Sequence, residues 1–301
     1  MVPVVIDCDP GQDDAVALML ALASPELEVL GVTTVAGNVA VERTSANARR
    51  IVEFAGRTDV PVFAGCAQPL RRPWVGAAHI HGESGLEGLD LPAPRQPADP
   101  RHAVDFLIET CRGRDGVTLC TLGPLTNVAT ALARAPDIAR RLARIVAMGG
   151  ARSGGNVTPV AEFNIHADPH AARIVFESGA PITMVPLDVT HQVRSTAERI
   201  ARIAAIGTPV AAAVAELLTP AAGSGPGALH DPCVIAYLLA PELFSGSRVN
   251  VAVECESPLT LGMTVVDWRA VSGRPPNANV LHAVDADGVY ALLKARLPNL
   301  G

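Results

Sequence analysis

The sequence predicts one α/β domain, residues 1–301, with a mostly parallel central β-sheet and helices on both faces. Three observations point there. Short β-branched runs alternate with longer segments of helical periodicity along most of the chain. Several of these runs are apolar at every position, as strands buried on both faces are. No composition break, long polar linker or internal repeat divides the sequence.

In order, the first strand is Val4–Ile6, and the helix after it, Asp13–Ala23, opens on two carboxylates of the kind helix N-termini favour. Strand Val29–Val35 and helix Val41–Phe54 repeat the unit, followed by strand Val60–Phe63. Residues 67–101, rich in Pro and Gly, read as an irregular excursion. Helix Ala103–Cys111, strand Val117–Leu122 and helix Thr126–Ala133 come next, with Thr126 and Asn127 expected to cap the last of these. Strand Ile145–Met148 precedes helix Pro169–Glu177, for which Asp168 and His170 in "ADPHAA" read as helix-starting residues. Strand Ile182–Pro186, helices Thr196–Ile206 and Pro209–Leu218, a Gly-rich stretch at 219–228, an apolar helical run after Pro232 and strand Val249–Val253 complete the pattern.

Composition removes several function classes. Although 49% of residues are hydrophobic, Asp, Arg, Gly or Pro interrupts every apolar run well before the twenty or so residues a bilayer needs. "MVPVVIDCDPG" also lacks the basic start and apolar stretch of a signal peptide, so a soluble cytoplasmic protein without membrane partners is expected. A net charge of −6, without basic blocks, argues against nucleic acid as a partner. Six scattered cysteines with no CxxC pair suggest buried thiols rather than disulfides or zinc. Lys294 is the single lysine, leaving Schiff-base chemistry almost without a candidate.

The chemistry-bearing stretch is "DCDPGQDD", residues 7–14, placed where a parallel strand ends and a helix begins. Open α/β sheets bind ligands at that position. Strand alternation predicts that Asp7 and Asp9 share a side, with Cys8 opposite. Helix capping accounts for at most two of the four aspartates. The others would repel one another in a crevice unless a cation or a shared proton relieved them. All-oxygen ligands favour a hard ion, Ca²⁺ or Mg²⁺. A distant "LHDP" offers His230 and Asp231, although Asp231 also reads as an N-cap and His230 as an ordinary loop histidine.

The stretch "DCDPGQDDAVAL" resembles the amino-terminal signature of the calcium-dependent inosine–uridine-preferring nucleoside hydrolases. Further matches follow in the same order: "VAGN" at 35–38, "HG" at 81–82, "LGPLTN" at 122–127, "GNVTPVAEFNIHADPHAA" at 155–172 and "HDP" at 230–232. The resemblance implies the nucleoside hydrolase fold with a Rossmann-like core, a homodimer or homotetramer, and ribonucleosides as substrates in nucleoside salvage. It also implies that Asp9, Asp14 and Asp231 ligate Ca²⁺ with the main-chain carbonyl of Leu122, and that a water and the ribose 2′- and 3′-hydroxyls complete the coordination. By the same resemblance Asp13, Asn38 and Asn164 bind ribose hydroxyls or orient metal ligands. Asn156 and Glu162 would hold the 5′-hydroxyl, and Met148 would line the sugar pocket. A Ca²⁺-bound water, activated by Asp9, would attack the anomeric carbon through an oxocarbenium-like transition state. His230 is the first candidate to protonate the departing base, and His81 the second.

The chain departs from the family before "HDP", where relatives often carry tyrosines. Here "AELLTPAAGSGPGAL" has no aromatic residue, which leaves Phe163 and Trp74 as the rings available to a base and base preference open. Two other readings compete. A haloacid-dehalogenase-like phosphatase also starts with a strand and DxD, but it needs a lysine, and Lys294 is the only one. A non-catalytic Ca²⁺-dependent nucleoside or sugar binder would dispense with Asp9 and His230, and both are present.

Overall fold

The computed structural model describes residues 1–77, 82–220 and 225–300. Nine strands form one sheet in the order β3-β2-β1-β4-β5-β6-β9-β7-β8. These are β1 Val2–Cys8, β2 Leu27–Thr34, β3 Val62–Ala64, β4 Thr118–Thr121, β5 Arg144–Met148, β6 Ile182–Val185, β7 Phe244–Val253, β8 Thr264–Asp267 and β9 Ala278–Val284. The pairings from β3 through β9 are parallel, and β7 runs antiparallel to both β9 and β8.

The apolar character of β1 has the expected cause. Val4, Ile6 and Cys8 enter one hydrophobic core and Val5 enters the other, so the strand is covered on both faces. The first core is filled by α1 (Gln12–Leu22) and α2 (Val41–Phe54), and the second by α3 (Ala103–Gly113) and α4 (Thr126–Arg134). Helix α1 is buried at every position from Asp14 to Leu22 because further helices pack around it, which explains its lack of an amphipathic pattern.

From β1 the chain winds outward through β2 and β3, then returns across β1 to add β4 on its other side. The direction of winding therefore reverses between β1 and β4, which opens a crevice at their carboxyl ends. Residues 9–14 leave β1 at that crevice, and residues 122–126 leave β4 beside them.

The sequence pattern missed the carboxyl-terminal elements β8, β9 and the last helix, Ala286–Arg296. Strand β9, "ANVLHAV", mixes Asn279 and His282 into its run and is half-buried at its end, so the search for uniformly apolar strands passed over it. Strand β7 is twice the expected length, because Phe244–Arg248 pairs with β9 through a bulge between Ser245 and Gly246. All six cysteines are free, and five are buried. Among the described residues no helix is long and apolar enough to cross a membrane.

Candidate active site

The aspartate loop takes two functions from its position at the start of α1. Asp14 is the third residue of the helix, and its carboxylate accepts the main-chain N–H groups of Gly11 at 2.9 Å and Asp9 at 3.2 Å. Asp231 directly precedes α10 (Pro232–Leu239) yet makes no side-chain cap bond. It turns instead toward Asp13 and Asp14, and ligand oxygens of the three lie within 4.8 Å of one another. Oxygens bound 2.3–2.6 Å from one calcium ion span at most about 5 Å, so this spacing suits a shared hard cation. The cap reading of Asp231 is thereby set aside in favour of the site.

Asp9 stands behind this triad. Its Oδ2 accepts the Asn38 main-chain N–H at 2.7 Å, and it is buried under the cavity floor rather than lining it. Asp9, expected as a ligand together with Asp14 and Asp231, is thus held beside the group of Asp13, Asp14 and Asp231. The cause lies in two glycines: a Cβ at Gly37 or Gly123 would overlap the Asp9 carboxylate, so the loops "VAGN" and "LGPLTN" close directly over it. Asn38 also reaches the Asp9 carbonyl at 3.1 Å and Asp14 Oδ2 at 3.5 Å through Nδ2.

Asp7 does not join them. It accepts Thr33 Oγ1 at 2.6 Å and Asn127 Nδ2 at 2.8 Å, tying β1 to β2 and α4, while its second oxygen is buried without a partner. Asn127 therefore does not cap α4; its Oδ1 accepts the Cys66 N–H at 2.8 Å. Thr126 is not a cap either, since its hydroxyl donates to Asp168 at 2.8 Å.

A cavity of about 340 Å³ opens above the triad. Its walls include Leu122, Met148 and Asn164, from the ends of β4 and β5 and from the short helix α5 (Phe163–Ala167). Asn164 Nδ2 donates to the Leu122 carbonyl at 2.6 Å and the Met148 carbonyl at 3.1 Å, fixing both strand ends. The Leu122 carbonyl keeps a second lone pair for another partner. Glu162 starts α5, accepting the N–H groups of Asn164 (2.8 Å), Ile165 (3.2 Å) and Gly150 (2.9 Å). Asn156, at the exposed rim, accepts the Phe163 N–H at 3.0 Å, and the half-buried Phe163 completes this wall.

His230 lines the cavity next to Asp231, with Nδ1 2.8 Å from Thr190 Oγ1 and its ring edge-on to His191. His81 lies outside the described residues. Trp74 is not a cavity residue, and its indole N–H donates to the Gly37 carbonyl at 2.9 Å. Sequence reasoning missed Arg72, Val75–Ala77 and His166, which also line the cavity. Arg72 and Val75–Ala77 lie in the irregular stretch 67–101, whose length drew notice without singling out a residue, and His166 lies inside the matching motif 155–172.

Burial pushes the carboxyls of Asp9, Asp14 and Asp231 far above the usual range, and their mutual repulsion adds to the effect. Burial likewise raises Glu162 to about 7, against the pull of its three main-chain donors. Asp7 is raised to about 6 for the same reason, opposed by Asn127 and Thr33. The crevice therefore concentrates negative charge that binds protons or cations unusually well.

The family model of the inosine-uridine preferring nucleoside hydrolases matches residues 4–291, which include every wall of this cavity. The chain belongs to the inosine–uridine-preferring nucleoside hydrolase family. It is 50% identical over 300 residues to the pyrimidine-specific ribonucleoside hydrolase RihA of Shewanella sp. (strain ANA-3), covering 97% of this chain and 94% of that one. Its fold matches the purine-preferring ribonucleoside hydrolase from Gardnerella vaginalis with a TM-score of 0.92 at 33% identity, over 99% and 98% of the two chains. A plant nucleoside hydrolase, PpNRh1, matches at 0.89 and 35%, over 98% of each. This nucleoside hydrolase is thus an N-ribohydrolase that splits the N-glycosidic bond of ribonucleosides. The phosphatase and non-catalytic readings are not favoured.

Proposed function

We propose that this hydrolase acts on pyrimidine ribonucleosides, with a calcium ion seated at the strand ends. The observation that carries the ion is the triad: three carboxylates crowded within 4.8 Å, two of them buried, with no cationic side chain among them. Asp13, Asp14, Asp231 and the Leu122 carbonyl form an all-oxygen donor set, which fits a hard cation. Asp9, whose main-chain N–H donates to Asp14, adjoins this set, and a turn of its carboxylate toward the cavity would bring it to the ion and to the attacking water. When bound, the ion would supply Lewis-acid polarisation and positions for vicinal sugar hydroxyls.

The chain's own residues do the rest. Asp9, whose proton affinity burial raises, takes a proton from water as that water's oxygen bonds to the anomeric carbon. The C–N bond breaks with its electron pair going to the base, and His230 supplies a proton to that base. Asp13, Asp14 and Glu162 face the positive charge that develops on the sugar ring. Asn164, Asn156 and Met148 hold the pentose, and Phe163 is the one Phe, Tyr or Trp among the described lining residues.

That scarcity of rings supports a pyrimidine over a purine, because stacking on the larger base needs more aromatic surface. The relative named as pyrimidine-specific at 50% identity supports the same choice over the purine-preferring one at 33%. Steady-state comparison tests it. Uridine and cytidine are expected to show kcat/KM at least about tenfold above inosine and adenosine. Equal values, or purines ahead, overturn the assignment.

A further inference from the structure

We propose that Asp168 is a positioning residue for the ribonucleoside, and that it sets the spacing between two cavity walls, the segment 70–77 and helix α5. The inference rests on the reading that the cavity holds the pentose. Asp168 is fully buried and does not itself line the cavity. Its Oδ2 accepts the Leu70 main-chain N–H and the Thr126 hydroxyl, each at 2.8 Å, and its Oδ1 accepts the Ala171 N–H at 3.0 Å. These donors come from three separate parts of the site. Leu70 opens the segment that carries Arg72 and Val75–Ala77, Thr126 starts α4 four residues after Leu122, and Ala171 lies in the helix that follows α5.

Capping a helix requires one acceptor, and Asn or Ser would serve. Three donors converging from different elements require a group that only accepts and has lone pairs on both oxygens. A carboxylate is therefore used here for more than the helix start. The same segment has three other fixed points. Arg72 donates to the His166 carbonyl of α5, Trp74 Nε1 to the Gly37 carbonyl at 2.9 Å, and the Ala77 N–H to the Asn38 carbonyl at 2.8 Å. It thus runs from Asp168 at one end to Asn38, the residue that holds Asp9, at the other. Loosening the Asp168 end would shift the wall without touching the groups that move protons.

Asp168→Asn keeps the size but surrenders one acceptor. Steady-state turnover of uridine, with free ribose as a competitive inhibitor, reads the consequence. KM for uridine and Ki for ribose are both expected to rise about tenfold, with kcat within about threefold of the parent. Thr126→Val, which leaves Asp168 and its helix cap intact, is expected to raise both constants about threefold, and it decides the matter alone if Asp168→Asn does not fold. Unchanged KM and Ki, or a fall in kcat at constant KM, overturn the proposal. A parent enzyme that turns over uridine but is not inhibited by ribose would overturn the pentose reading of the cavity, and this inference with it.

Discussion

Chelation is expected to destabilise the folded chain, and calcium to restore it, because the ion relieves the repulsion the fold imposes on Asp13, Asp14 and Asp231. At a free calcium concentration 100 times its Kd, a ligand that binds the folded state alone adds about 2.7 kcal/mol. An unfolding entropy of about 2.1 cal/mol/K per residue, over 301 residues, gives roughly 0.6 kcal/mol/K. The melting temperature should therefore rise by about 4 °C between EDTA and saturating calcium. The shift should also depend on pH with a fixed sign. Burial raises the carboxyls of Asp9, Asp14 and Asp231 above their unfolded values, so protons compete with the ion for them. The calcium-induced shift should then grow from pH 5 to pH 8. In EDTA, Asp7, raised to about 6, and Glu162, raised to about 7, lose stability as pH climbs from about 4 to about 7, because the folded state must then ionise groups it prefers protonated. That penalty is on the order of 3 kcal/mol for each group. Scanning fluorimetry across this pH range measures both effects. Absence of a calcium shift, a shift independent of pH, or a shift preserved in full by Asp231→Asn would refute the reasoning.

Asp9→Ala should reduce kcat at least about a thousandfold while Asp13→Ala mainly raises KM; reversed effects would move the base to Asp13. His230→Ala should cost more with uridine than with p-nitrophenyl riboside, whose leaving group needs no proton, and equal losses would remove its role as acid. Gly37→Ala would press a methyl group into the Asp9 carboxylate and the Pro124 ring, so a stability loss of about 1–3 kcal/mol and an activity loss beyond about tenfold are expected. Thermal melts and turnover of that variant check the pair, and a fully active, equally stable Gly37→Ala would contradict the packing around Asp9.

The alternating order of strand and helix, and the placing of "DCDPGQDD" at a strand end, could be read from residues 4–253 because a parallel sheet buried on both faces leaves an unmistakable apolar signal. Beyond residue 253 that signal fades. Strand β9 sits at the junction with the antiparallel part of the sheet, where Asn279 and His282 are tolerated. Within the site, Asn38, Met148, Asn164 and Asp231, all named from the resemblance, line one cavity. The division of labour among the aspartates was not legible. Strand alternation correctly placed Asp7 away from Cys8, yet β1 ends at Cys8, so alternation could not carry on to Asp9. The pairing of Arg72 with His166 was invisible for a different reason: the chain brings them together across 94 positions, and only His166 belongs to a recognised motif.

The cavity's negative charge is held by the backbone. Asp9 is gripped by the N–H of Asn38, Asp14 by those of Gly11 and Asp9, and Glu162 by those of Gly150, Asn164 and Ile165. The donors at Asp9, Gly11, Asn38 and Gly150 lie just past strand ends at the carboxyl edge of the sheet, and those of Asn164 and Ile165 in the first turn of α5, so the carboxylate positions follow from the backbone rather than from flexible side-chain contacts. Main-chain donors survive every substitution except proline and do not titrate, which lets the crevice keep its charges in place whether they bear protons or a cation. The same arrangement explains why the raised proton affinities coexist with an ordered site. The donors lower each carboxyl's pKa by less than burial and repulsion raise it, leaving a set of oxygens fixed in direction and short of positive charge. A pentose hydroxyl or a divalent ion entering this cavity meets acceptors already aimed, and little binding energy is spent on ordering them.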